Sequence, residues 1–144
     1  MKRVAYIAGI ILWGVLFSCQ SADQNEIEII GQTWILSSIV SSDGSMVDIQ
    51  GLTSLQDEYW IVLDDNGGIN AQLACNTCSG EYEFGDDSTI WVTGFSCTES
   101  GCSGTAYFFL LDDHYSYSLD GERLRLTELR PQPGSQYIFI TDSE

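Results

Sequence analysis

The stretch Tyr59-Trp60-Ile61-Val62-Leu63-Asp64-Asp65-Asn66-Gly67-Gly68-Ile69-Asn70-Ala71-Gln72-Leu73 decides the fold. Its first five residues are aromatic, aliphatic and β-branched, which predicts a strand. Asp64 to Gly68 are residues that tolerate positive φ, and Ile69 to Leu73 turn apolar again, so the segment is expected to double back as a hairpin. Oxygen-bearing side chains alternate along residues 64–70 much as they do in a calcium loop. The closing bidentate glutamate of an EF-hand is missing, so a plain turn without metal is expected.

Working outward, the same pattern of short β-rich runs between turn residues recurs along the chain. Further strands are predicted at 31–40, 46–49, 80–84, 89–93, 115–119, 123–128 and 136–141, with Asp43-Gly44 and Asp120-Gly121 as tight-turn signals. Thr105 to Leu111 is apolar throughout, with Ser103 able to cap it and Asp112-Asp113 ending it. It is expected to be the one short helix. The fold class expected is α+β, mostly β: a curled antiparallel sheet or small barrel of about 7–9 strands with a short helix packed over one opening.

The N-terminus has the form of an export signal. Lys2 and Arg3 precede an apolar run from Val4 to Phe17. That run is shorter than the roughly 20 residues needed to span a bilayer. Leu16-Phe17-Ser18-Cys19 resembles a bacterial lipobox. Residues 1–18 are therefore expected to be removed as a lipoprotein signal peptide and Cys19 to carry the lipid. An ordinary secretory signal cut near Ser21-Ala22 is the competing reading. Residues 19–29 hold three acids and few large apolar side chains, and are expected to form an acidic flexible tether. Gln20, a non-aspartate after the anchor, resembles outer-membrane sorting. Residues 30–144 then make one domain of ordinary size.

Charge narrows the partners. The chain carries 21 acids against five Lys and Arg, a formal charge of −16. Loss of Lys2 and Arg3 with a leader leaves three arginines against those 21 acids, or −18, and no lysine. The survivors, Arg123, Arg125 and Arg130, cluster within eight positions. Such a surface repels phosphate backbones, which excludes nucleic acid as a partner. Anionic membranes are expected to repel the domain as well, leaving the lipid on Cys19 to hold it there.

Cys75, Cys78, Cys97 and Cys102 form C-x2-C, an 18-residue gap and C-x4-C. In a reducing cytosol this spacing would point to a thiolate zinc site. An exported chain folds where disulfides persist, so two bridges are expected and no metal. The spacing leaves three pairings open. A thioredoxin-like redox role lacks the strand-to-helix context around Cys75 and Cys78.

Several of these residues occur together in a recognisable order. Gly31-x-x-Trp34-x-Leu36, Ala74-Cys75-Asn76, Gly80-x-Tyr82, Thr93-x3-Cys97 and Leu119-Asp120-Gly121-x2-Leu124-x-Leu126 together resemble the META/HslJ-like domain of bacterial envelope lipoproteins, over residues 30–129. The resemblance implies a compact antiparallel β fold with a helix, tied to a membrane and without an established catalytic activity. It marks Trp34, Asn76, Gly80, Tyr82 and Thr93 as motif positions. Ala74 stands where the family usually has glycine, and Cys78 and Cys102 are additions. If the family cysteines pair, Cys75 joins Cys97 and Cys78 joins Cys102.

Chemistry has few candidates. His114 is the single histidine, and no Gly-x-Ser-x-Gly elbow accompanies it, so a hydrolase would need His114 in a cleft beside a nucleophile. The pairs Asp64-Asp65, Asp86-Asp87 and Asp112-Asp113 are expected in turns, because neighbours on a strand point to opposite faces. Trp34, Trp60 and Trp91 lie in apolar runs and are expected in the core. The function expected is that of a non-enzymatic, lipid-anchored, monomeric envelope protein of the outer membrane that binds an envelope protein or serves in envelope stress, without a cofactor. The alternative is a lipocalin-like carrier holding a small apolar ligand inside the sheet.

Overall fold

The computed structural model describes residues 24–49, 59–98, 113–130 and 134–141. Its elements are a helix, α1 (Gln24–Ile29), and nine strands: β1 (Thr33–Val40), β2 (Met46–Asp48), β3 (Tyr59–Leu63), β4 (Gly68–Leu73), β5 (Asn76–Gly85), β6 (Thr89–Cys97), β7 (Asp113–Asp120), β8 (Arg123–Glu128) and β9 (Gln136–Thr141). All pairings are antiparallel, and neighbours in sequence are neighbours in space from β3 to β9. The first strand also pairs with the last, Trp34 opposite Thr141 and Val40 opposite Gln136. Eight strands thereby close a barrel, and β2 lies outside the ring, paired to Ser38–Val40 of β1.

Alternation explains why the ring closes around these residues. Tyr59, Ile61 and Leu63 of β3 point inward, as do Ile69, Ala71 and Leu73 of β4 and Tyr137 and Phe139 of β9. The period of two sends Trp60, Val62, Asn70, Gln72, Ile138 and Ile140 to the outside. Burying one face of every strand removes each row of apolar side chains from water, and closure leaves the ring without open edges. Among the described residues, a cavity of about 10 Å³ lies between Ile29, Ile61, Phe84, Tyr117, Leu124 and their neighbours, room for about one water centre.

Two sequence expectations are corrected here. Gln24–Ile29, expected to belong to a flexible tether, forms α1. Acid content was a poor guide because one side chain decides the matter: Ile29 is 1% exposed and plugs the barrel mouth. The Trp34 indole N–H donates to the Ile29 carbonyl at 2.9 Å, and the Gln32 amide donates to the Glu28 carbonyl at 2.6 Å. A six-residue helix is too short to stand alone, so these contacts hold it. The second correction concerns the tryptophans. Trp34 is buried, whereas Trp91 is 48% exposed and Trp60 faces out of the ring, part-exposed. The helix expected at Thr105–Leu111 falls outside the described residues.

Candidate functional site

Of the motif positions, Asn76, Gly80 and Tyr82 lie along β5 and Thr93 on β6, while Trp34 stands apart on β1 beside α1. Ala74 and Cys75 make the turn between β4 and β5, with Ala74 at φ +56°. This left-handed conformation strains an L side chain by about 1 kcal/mol or more and suits glycine, which accounts for the family's usual residue there. Around the turn a polar knot ties β5 to the residue that follows β6. Thr77 N–H donates to Thr98 Oγ1 at 3.1 Å, Thr98 N–H returns a bond to the Thr77 carbonyl at 2.9 Å, and Thr98 Oγ1 lies 3.5 Å from Asn76 Oδ1. Asn76 is 6% exposed, one of two buried polar residues among those described.

The cysteines answer to strand register. Cys78 faces Cys97 directly across β5 and β6, with Cα atoms 4.0 Å apart, and the two are joined by a disulfide. This replaces the Cys75–Cys97 and Cys78–Cys102 pairings that the resemblance implied. Cys75 sits in the turn, three residues from Cys78 along the chain, and so cannot occupy the position opposite Cys97. Cys75 is itself disulfide-bonded. Cys19 and Cys102 fall outside those residues.

Just beyond the bridge the register shifts: Ser79 faces Ser96, but Glu81 faces Thr93. The extra residue is accommodated by a bulge with Gly94 at φ +61°. Opposite it, Gly80 leaves no room for a side chain, since a Cβ there would lie 3.0 Å from both the Thr93 carbonyl oxygen and the Phe95 ring. Thr93 is exposed at this kink. Farther along β5, the Tyr82 hydroxyl donates to the Asp64 carbonyl at 2.7 Å and the Gly67 carbonyl accepts from Tyr82 N–H at 2.8 Å. Tyr82 thus locks the 64–70 turn, in which the Asp64 carboxylate accepts from the Asn70 amide at 2.9 Å and Asn66 Oδ1 accepts from Gly68 N–H at 3.1 Å. Among the described residues no three His, Cys, Asp or Glu side chains are grouped to hold a metal ion.

His114 lies flat beneath Trp91, ring centroids 3.5 Å apart and planes 11° from parallel. Its Nε2 is buried and has no hydrogen-bond partner. A general base needs a proton donor within about 3 Å, and none of the described side chains supplies one. The pairs Asp64-Asp65 and Asp86-Asp87 stand in or beside turns. Sequence reasoning passed over the Trp91–His114 stack, although the register of their strands places the two directly opposite.

Two tyrosines have phenols held above their ordinary pKa. At Tyr137 burial is the main cause, followed by the hydrogen bond its hydroxyl donates to Glu128. At Tyr82 burial again comes first, then the nearby Asp64 and Asp65 charges. The folded state holds both protons more tightly than the unfolded chain does. Their stabilising contribution is therefore complete below the unfolded phenol pKa near 10 and is lost as pH climbs from there through the higher folded values. Urea midpoints measured between about pH 8 and 11 should fall steeply only in the upper part of that range. Tyr137→Phe should flatten the fall, and an equally steep fall in that variant would assign the loss to other groups.

A family model described as META domain matches residues 27–144. No curated protein matches the chain. Two solved structures share its fold. One is the solution NMR structure of a protein from Burkholderia xenovorans, 12% identical, covering 100% of both chains with a TM-score of 0.61. The other is the crystal structure of a DUF4847 family protein from Bacteroides vulgatus, 11% identical, covering 81% of this chain and 96% of that one with a TM-score of 0.52.

Proposed function

We propose that this chain, which belongs to the META domain family, is a lipid-anchored envelope protein whose barrel acts without catalysis, as a rigid module for binding another envelope protein. The observation that carries the reading is the Cys78–Cys97 bridge, joining directly opposed residues of a chain that begins with a short apolar leader. Such bridges persist in oxidising compartments and are rare in the cytosol. Leu16-Phe17-Ser18-Cys19 supplies the means of retention there, because acyl chains on one sulfur replace a span that the leader is too short to make.

Absence of catalysis is supported by the stacked position of His114 and by the use of the Asp64 carboxylate in a turn. A carrier role has less support, given that the cavity bounded by Ile29, Ile61 and Phe84 has room for about one water. The outer membrane is the expected location, read from Gln20.

Intact mass spectrometry of the membrane-extracted product tests the reading. A chain beginning at Cys19 with a diacylglyceryl mass is expected, and Cys19→Ser should lose that mass and move to the soluble fraction. A full-length soluble product with free thiols would reject the proposal.

A further inference from the structure

The outside of the barrel is not uniform. On β4, β5 and β6 the outward positions are mainly polar or acidic, among them Asn70, Gln72, Thr77, Ser79, Glu81 and Glu83. On β3, β1 and β9 they include a run of apolar side chains, with Thr33, Ser37 and Gln136 at its borders. Trp60 lies beside Ile35, Ile35 beside Ile140, and Ile138 in the next outward row of β9. All four are part-exposed. The strip ends at β8 on two arginines, with Arg123 opposite Ile140 and Arg125 opposite Ile138. These are two of the three cations left after removal of a leader, they are exposed, and neither forms an ion pair with another described residue. In a molecule so rich in acid, unneutralised arginines bordering an isoleucine strip mark a surface with a partner of its own.

The groove at the foot of this wall narrows the choice. Asp120, Glu122, Arg123, Ile140 and Thr141 line an open hollow of about 400 Å³. It lies at the end of the barrel that Ile29 plugs, since β8 begins there and β9 ends there. A cation and two carboxylates side by side, above an apolar floor, complement a group carrying both charges over hydrocarbon. The chain that leads to this end is short. From Cys19 to Gln24 there are five residues, at most roughly 17 Å when fully extended, so an anchor at Cys19 keeps the groove within reach of headgroups.

We propose that the β3–β1–β9–β8 wall lies against the bilayer surface and that the groove takes a zwitterionic phospholipid headgroup, phosphate on the Arg123 guanidinium and ammonium between Asp120 and Glu122. The inference rests on the Cys19 anchor. Trp60 and the isoleucines then sit at the depth where aromatic and aliphatic side chains favour the interface. Glu81 and Glu83, outward on β5, face away from lipid, which lessens the repulsion that net charge alone would predict.

The test uses the acylated product, reconstituted in phosphatidylcholine and phosphatidylethanolamine vesicles with brominated acyl chains, and reads tryptophan quenching after flotation. Trp60→Phe should abolish most of the quenching, while Trp91→Phe, on the far wall, should leave it unchanged. Arg123→Gln with Arg125→Gln should lower the quenching on these vesicles, and quenching equal to the unsubstituted protein would remove the arginines from the contact. Asp120→Asn with Glu122→Gln should reduce quenching on these vesicles and not on phosphatidylglycerol. Protein that floats but is quenched equally with and without Trp60, or not at all, overturns the docked wall while the anchor stands. Protein that fails to float overturns the anchor and the docking with it.

Discussion

Trp34→Ala is expected to cost roughly 3–5 kcal/mol of unfolding free energy, the range for removing a buried tryptophan. Trp34 is 1% exposed and stands where three contacts converge. Its backbone is shared by β3 and β9, its ring fills the core, and its indole N–H satisfies the Ile29 carbonyl at the end of α1. Truncation would open a cavity and strand that carbonyl, adding on the order of 1 kcal/mol for the lost bond. Against a total stability of about 5–15 kcal/mol for a domain, the variant would be marginal at growth temperature. Urea denaturation followed by far-ultraviolet circular dichroism measures the loss. Trp34→Phe separates the two causes, because it keeps most of the volume and removes the donor. A drop of less than about 1 kcal/mol in Trp34→Ala would mean that the plug and strand hold without this residue.

Removing the Cys78–Cys97 bridge comes next in size. The two cysteines are 19 positions apart, and a loop of that length is worth about 3 kcal/mol in the chain-entropy model. Its place adds to its importance. Gly94 and the bulge leave β5 and β6 free to slip by a residue, and a slip would turn every side chain beyond it to the wrong face. The covalent link fixes the pairing on the far side of the bulge. Cys78→Ala with Cys97→Ala should lower the urea midpoint in oxidising buffer, and dithiothreitol should lower the wild type further, since it also opens the Cys75 bridge. An unchanged midpoint in the double variant would show that the ladder alone sets the register.

Much of this architecture was legible in the chain because the strands obey one rule. Runs such as Tyr59–Leu63 and Arg123–Glu128 alternate or cluster apolar residues between residues that favour turns, and each became a strand with the bounds expected. Asn76–Ser79 and Gly94–Cys97 were missed. Apart from Thr77 and Phe95 they are poor strand formers, held extended by the pairing of Ala71 with Cys78 and by the disulfide, which are tertiary interactions. Helix α1 was missed for the same reason: Ile29 finds its partners only once the barrel mouth exists. Outward placement of Trp60 and Trp91 depends on strand parity, and an apolar run such as Tyr59–Leu63 conceals parity until its neighbours are known. The motif positions proved to be turn, bulge and packing residues more than a reactive constellation, with Gly80 beneath Phe95 and Tyr82 latched to Asp64.

The seam between β1 and β9 has a consequence for how the molecule is made. Ile35 pairs with Ile140, more than a hundred positions later in the chain. The opening strand therefore waits, half its hydrogen bonds unmet, until nearly the whole polypeptide has been synthesised. Local hairpins can assemble meanwhile, but the cylinder cannot cohere piecemeal, and contacts of such long range make its completion slow. Under the export proposed above, that delay is useful: a chain that has yet to close its ring stays pliable enough to pass a narrow channel.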